Sequence, residues 1–463
     1  VQSRRDQAQA QSYMVGRLTA ALVMGEPEAL ENPHRRMLTG ILAGLLIGCL
    51  VTGGFVVYGL LRPGGATGWQ KPGTLIAEKE SGGRFILVDG QLRPVHNYAS
   101  AALIFGGRPA VVRASAASLN EVPRGLPLGI VGAPDSLPPV DGLAGISWSA
   151  CALGRAGGAG SPGTGTMLIL SADDGGTPVR ADAGFTVAAP DGRTFLVTEG
   201  RRMALTEPWI PRVLGYPAAP TIAPGWLDQL PAGPDVKPIV VADRGEPGPV
   251  VDGRPTRIGQ VFVARVVGTP DRYFVLQRDG LSAAGETAVA LLLGDPATSA
   301  AYPDEPVRPR ELTAGALAAL PVSNRDPLPA GLPTRPPVPV TPPTGQTWCA
   351  ERHTPDGPVT VTTRPVPNGI VPGDTPGFDR TAHTAVAVWV DPGTGGLVRQ
   401  GRPGQANGTS FFLVTDAGVK YPIASADAAE ALGYPLAAAR TVPAPLLALL
   451  ATGPLLDPAA ARR

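Results

Sequence analysis

Four stretches of this chain echo one another, and that repetition limits the folds open to it more than any other feature. FILVDGQLRPVHNYASAALIFGGRP (85–109), FLVTEGRRMALTEPWIPRVLGYP (195–217), YFVLQRDGLSAAGETAVALLLGDP (273–296) and FFLVTDAGVKYPIASADAAEALGYP (411–435) follow one plan. Each opens on an aromatic and β-branched run, turns at a glycine and continues into a helix-forming stretch. Counting from Ile86, Phe195, Phe274 and Phe412, the repeat-core anchors, Gly106, Gly215 and Gly294 follow after 20 residues and Gly433 after 21. Turn glycines stand between at Gly90, Gly200, Gly280 and Gly418. A second signature follows: Leu119, Leu227, Leu317 and Leu447, then three residues on Val122, Leu230, Leu320 and Leu450, on one face of a short helix. Gly125, Gly233, Ser323 and Gly453 come next, a fitting helix stop in three of the four, with Pro123, Pro231 and Pro321 following the second apolar position in three copies.

A unit of roughly 45–55 residues buries too little surface to stand alone, so the copies must pack on something. GTMLILSA (165–172), QVFVARVV (260–267) and TAVAVWVD (384–391) read as strands of a central sheet fed from distant parts of the chain. The chain holds 60 glycines and 53 prolines, about a quarter of its length, yet 43% of it is hydrophobic, which fits several small, loop-rich units with real cores. The nine prolines of 321–343 favour extended chain crossing from the third copy back to the core. A net charge of +1 excludes strong steering of nucleic acid.

Residues 38–61, LTGILAGLLIGCLVTGGFVVYGLL, carry no charge. As a helix they reach about 36 Å, enough to cross a bilayer. The long run and the 37-residue segment before it read as an anchor rather than a cleaved leader. Arg35 and Arg36 flank it on one side, with Arg4, Arg5 and Arg17 further back, against Arg62 and Lys71 on the other. This bias places the N-terminus in the cytoplasm and 62–463 outside. Cys151 and Cys349 then lie in an oxidising compartment, where one disulfide is expected; two buried unpaired thiols are the alternative. Residues 3–29 read as a helix capped by Ser3 with Asp6, whose stripe of Met14, Leu18 and Leu22 has to dock on a partner or lie on the membrane.

The fold class expected is α+β: a single N-terminal transmembrane helix, then an extracytoplasmic domain with a central β-sheet core and four small α/β repeats in pseudo-symmetric arrangement. The segments are a cytoplasmic amphipathic helix at 1–37, the span at 38–61, a linker at 62–82, repeat 1 at 83–126, core at 127–176, repeat 2 at 177–235, core at 236–269, repeat 3 at 270–325, a Pro-rich crossover with core at 326–400, repeat 4 at 401–455 and a tail at 456–463.

Catalytic signatures are scarce. None of the four lysines, Lys71, Lys79, Lys237 and Lys420, sits in a G-x-x-x-x-G-K-[ST] run. One G-x-G-x-x-G occurs at 158–163, but it contains Pro162 and leads into a strand, the reverse of a dinucleotide fingerprint. His34, His96, His353 and His383 show no metal spacing. His383 and Asp391 flank a core strand and are the one acid–base pairing on offer, and Asp173-Asp174 read as a solvated turn. No catalytic residue, metal or cofactor is expected.

The order SRRDQ (3–7), a single span ending VYGLLRPGG (57–65), GWQKPGTLI (68–76) and four repeats around a cysteine-paired core resembles the EccB family of actinobacterial type VII (ESX) secretion. The resemblance covers nearly the whole chain. It implies a structural subunit of an inner-membrane complex with EccC (the motor ATPase), EccD and EccE type subunits near a mycosin protease, and self-association of the outer domain. It also implies two alternatives: a peptidoglycan-binding module, and a nucleotide hydrolase using ATP, since family records carry an ATPase label.

Overall fold

The computed structural model describes residues 3–25, 33–61, 67–153, 165–173, 175–216, 219–266, 268–365, 378–402 and 408–463. They fall into two compact units, residues 1–93 with 110–125, and residues 94–109 with 126–463.

In the first unit, α1 (Arg4–Met24) starts at a capping box. The Ser3 hydroxyl accepts from the Arg5 N–H and the Asp6 carboxylate accepts from the Ser3 N–H. It ends at Gly25, whose φ of 73° is the left-handed cap only glycine takes at little cost. The apolar run forms α2 (Pro33–Leu61), whose uncharged window is Met37–Gly59. Then come β1 (Thr74–Glu78), β2 (Arg84–Val88) and β3 (Gln91–Pro94). The first copy's helix, α3 (Tyr98–Phe105), belongs to the second unit, while β4 (Ala110–Ala114) and the single turn α4 (Ala116–Leu119) return to the first. Sheet order is β3-β2-β1-β4, with β1 antiparallel to β2 and parallel to β4. Trp69, Ile76, Leu92, Ala114 and Leu119 form its core.

The second unit is built on a six-stranded sheet. It begins with β5 (Ser147–Leu153), β6 (Gly165–Ser171) and β7 (Thr177–Pro178). The second copy follows as β8 (Ala183–Ala188), β9 (Thr194–Thr198), β10 (Arg201–Leu205), α5 (Ile210–Val213) and α6 (Pro224–Leu227). The third is β11 (Val261–Ala264), β12 (Arg272–Gln277), β13 (Gly280–Ala284), α7 (Glu286–Gly294), β14 (Arg310–Glu311) and α8 (Ala314–Ala319). The crossover adds β15 (Val338–Pro339) to the edge of β8, and the chain re-enters the central sheet as β16 (Gln346–Arg352), β17 (Thr360–Pro365) and β18 (Ala387–Val390). The fourth copy is β19 (Gly396–Gln400), β20 (Phe411–Val414), β21 (Val419–Pro422), α9 (Ala426–Ala431), β22 (Arg440–Val442), α10 (Ala444–Ala448) and β23 (Ala451–Thr452), before α11 (Pro458–Ala461).

The central sheet runs β18-β6-β5-β16-β17-β7. GTMLILSA and the end of TAVAVWVD lie in it, as expected, but QVFVARVV does not. It supplies β11, the first strand of the third copy's own sheet β13-β12-β11-β14. A short apolar run marks a doubly covered strand without saying which sheet covers it. Here the antiparallel neighbour β12 is only seven residues away and captures it.

One face of the central sheet presents Trp148, Leu168, Leu170, Trp348 and Ala350 to a large core. Trp226 and Leu227 of α6 and Leu446 and Leu447 of α10 fill that core, and Phe185 stacks on Trp348 at 3.8 Å between ring centres. Copies two and four therefore share the face. The helices also pair: α3 packs on α9, where Ala99, Ala102 and Leu103 meet Ala428, Ala429 and Leu432, and α5 packs on α7. A Cβ at Gly294 would come within 2.3 Å of Val213, so this crossing needs glycine.

The residues read as helix stops do something else. The short helices end earlier, and Gly125, Gly233, Ser323 and Gly453 donate their N–H groups to Leu92, Arg202, Leu281 and Lys420 at 3.0, 2.7, 2.9 and 2.9 Å. Each bond closes the open side of a copy's third strand. Pro123, Pro231 and Pro321 accept from Leu92, Arg202 and Leu281 in the same clasp. Proline cannot continue the helix, so the chain leaves extended and joins the sheet. In the third copy Arg278 and Asp279 make the hairpin turn and Gly280 opens β13, whereas the other three turn glycines lie at φ between 69° and 74°.

Candidate functional site

The anchors Ile86, Phe195, Phe274 and Phe412 occupy the equivalent strands β2, β9, β12 and β20, the first three buried and Phe412 partly so. They are core residues of their copies.

Cys151 and Cys349 face each other directly across β5 and β16 with Cα atoms 4.0 Å apart, and they are disulfide-bonded. Met167, Ile169 and Ala387 bury the bond on the face opposite the tryptophans. It joins residues 198 positions apart, a closure that chain-entropy arguments rate at about 5 kcal/mol. The domain's two halves are thereby fastened at the middle of the central sheet.

On α1, Met14, Leu18 and Leu22 are 71%, 68% and 79% exposed, and Tyr13 and Val15 extend the open apolar face. Ala20, by contrast, is 3% exposed. In the second half of α1, Gly16 and Thr19 beside Ala20 are partly covered within the chain, whereas the side with large apolar residues is not. That face has the i, i+4 spacing of a helix laid into a groove. Arg35 and Arg36 lie in the first turn of α2, and Arg62 lies outside the described residues.

His383 and Asp391 are not brought together, because β18 extends between them. His383 Nδ1 instead meets Asp228 at 3.0 Å, and Arg202 Nη1 reaches the other oxygen of Asp228 at 3.0 Å. One carboxylate shared by an imidazole and a guanidinium ties α6 to β10 and to the segment before β18. The Thr381 hydroxyl accepts from the His383 backbone N–H at 3.3 Å. Asp391 accepts from Ser171 Oγ at 2.7 Å, the Ala172 N–H at 3.1 Å and Trp389 Nε1 at 3.3 Å. Partial burial works to raise its pKa, but these donors outweigh it and hold the carboxyl below its usual range. Asp173 accepts from the Gly175 N–H, a local turn, while Asp174 and the G-x-G-x-x-G stretch lie outside the described residues. No group of three or more metal-ligating side chains occurs among the described residues.

Two charged features were missed in the sequence. Lys420 on β21 turns inward, and its Nζ donates to the carbonyl oxygens of Leu447 and Leu450 at 2.7 and 2.6 Å; burial pushes its pKa down to about 8. Arg244 and Asp295, both nearly buried, pair at 2.7 Å beneath the third copy. Pattern announces neither inward turn: Lys420 alternates with Val419 and Tyr421 as a solvent-facing strand residue would, and Arg244 stands in a polar turn.

The family model described as "Type VII secretion system ESX-1, transport TM domain B" matches residues 2–463. The ESX-1 secretion system ATPase EccB1 of Mycolicibacterium smegmatis (strain MKD8) is 28% identical over 97% of this chain and 92% of its own. A chain in the periplasmic assembly from the ESX-5 inner membrane complex is similar in structure, with TM-score 0.67 and 25% identity over 87% of this chain and 97% of that one. The EccB3 dimer from the ESX-3 core complex shares the fold, with TM-score 0.60 and 24% identity over 84% of this chain and 99% of that one.

Proposed function

Since the chain belongs to the EccB family of type VII secretion components, we propose that it is a membrane-anchored structural subunit of an ESX-type inner-membrane complex, with α1 docked inside and the disulfide-fastened domain outside. The match over residues 2–463 carries this reading. The uncovered face of Met14, Leu18 and Leu22 supports α1 as the docking element. The motor ATPase EccC is the partner proposed for it, with EccD and EccE type subunits and a mycosin protease as neighbours. The outer domain associates with further copies of itself, a reading supported by the similar EccB3 chain being a dimer.

Deletion of residues 3–29 tests the docking. The shortened chain is expected to fold, insert and keep its Cys151–Cys349 bond, while co-purification with the motor subunit falls to background. Undiminished co-purification contradicts the docking role of α1.

A second reading is nucleotide hydrolysis, favoured by the ATPase in the relatives' names. ATP turnover by the purified outer domain, removed by a point substitution that leaves the fold intact, would support it. Retention on washed peptidoglycan, competed by soluble muropeptide, would support wall binding.

A further inference from the structure

Among the described residues, the fourth strand of the first copy has an open edge of a kind the other copies avoid. Natural sheets protect edges by keeping them short or covering them. The corresponding strand is two residues long in the third copy and three in the fourth, and in the second copy the crossover strand β15 occupies that side of β8. β4 is five residues, Ala110-Val111-Val112-Arg113-Ala114, with two β-branched side chains. Ala110, Val111 and Arg113 are exposed, Val111 at 57%.

The direction of its backbone groups is fixed. The Lys79 N–H donates to the Ala114 carbonyl at 3.0 Å, so Ala114, and by alternation Val112 and Ala110, turn toward β1. Val111 and Arg113 turn their N–H and C=O groups outward, and no strand pairs along that side among the described residues.

We infer that β4 pairs antiparallel with β4 of a second copy of this chain, about a twofold axis at Val112. In that register Val111 of one copy and Arg113 of the other form a hydrogen-bonded pair, and the twofold repeats it, giving four backbone hydrogen bonds. Val112 meets its counterpart in the intervening non-hydrogen-bonded pair. Every outward group is used. Sliding the pairing by one residue in either strand sets outward groups against inward ones. Centring it on Arg113 opposes two guanidinium groups, which is destabilising. Centring it on Val111 leaves Arg113 unpaired. In the proposed register the aliphatic stem of Arg113 lies over the exposed Val111 of the other copy while its charge reaches water. The product is one continuous eight-stranded sheet.

This contact rests on the self-association proposed above and names its place. The test uses the full-length chain in its own membranes, with Cys49, the free cysteine, replaced by serine. Val112→Cys puts two thiols at a non-hydrogen-bonded pair with Cα atoms about 4.5 Å apart, within disulfide reach. Mild oxidation is expected to give a covalent dimer. Val111→Cys alone is expected to give none, because its two copies stand two residues apart along the strands, about 7 Å in that direction alone. Co-expressed Val111→Cys and Arg113→Cys chains are expected to cross-link. Val111→Pro removes only an outward N–H and leaves the ladder to β1 intact, so it should abolish the Val112→Cys dimer. The mass of the detergent-solubilised chain is measured in parallel. A dimer or larger species without Val112→Cys cross-linking overturns the β4 contact and leaves self-association standing. A monomer without cross-linking overturns both.

Discussion

Lys420 and one repeated glycine position show how much is decided by single residues. Lys420 keeps its proton to about pH 8 in the fold and to about 10.5 in the unfolded chain. Between those values the unfolded state binds more protons, so stability rises with pH across the window. The contribution is complete above about 10.5 and lost as pH falls through about 8. The neutral amine still has N–H groups for both carbonyl oxygens. Melting temperatures of the full-length chain from pH 7.5 to 10.5 are therefore expected to climb relative to Lys420→Met. Parallel curves for the two proteins contradict this assignment. At the clasp position, a Cβ on Gly125, Gly233 or Gly453 would stand 2.8, 2.9 or 2.4 Å from Arg93, Met203 or Tyr421. In the third copy the corresponding neighbour is Ser282, and Ser323 is tolerated there. Gly233→Ala should cost about 1–3 kcal/mol by overpacking. Ser282→Met should destabilise the third copy, and adding Ser323→Gly should recover part of the loss. Denaturant midpoints measure both, and equal midpoints for the single and double variants contradict the steric account.

At the scale of elements, the sequence was most legible where pattern and geometry share a period. The capped helix α1, the apolar α2, the hairpin strands with their anchors and the short helices around Leu119, Leu227 and Leu447 all follow from spacing. Pairing between distant segments was legible only in part: the two cysteines and two of the three central runs were placed together, the third was not. QVFVARVV looks like any doubly buried strand, and only the nearness of β12 sends it to the third copy. The first strands of the copies, β1, β8, β11 and β19, precede the visible echo, because they diverge in sequence while keeping their place beside β2, β9, β12 and β20. The clasp glycines resembled helix stops because glycine serves both ends, a left-handed φ and a close approach. Only the neighbouring strand distinguishes them. His383 found Asp228 rather than Asp391 for a similar reason: sequence proximity across a strand separates two side chains instead of joining them.

For the whole molecule, the parts add up to an anchor, an uncovered helix face and an outer domain fastened by a single disulfide between two tryptophan-flanked strands. Membership of a larger membrane assembly is the reading that uses all of them. It is tested most directly by purifying the tagged full-length chain from its own membranes in mild detergent, measuring the mass of the particle and identifying its components. The account predicts a megadalton assembly containing a membrane motor ATPase and several copies of this chain. Recovery as an isolated monomer or dimer, with no such subunit attached, would contradict it.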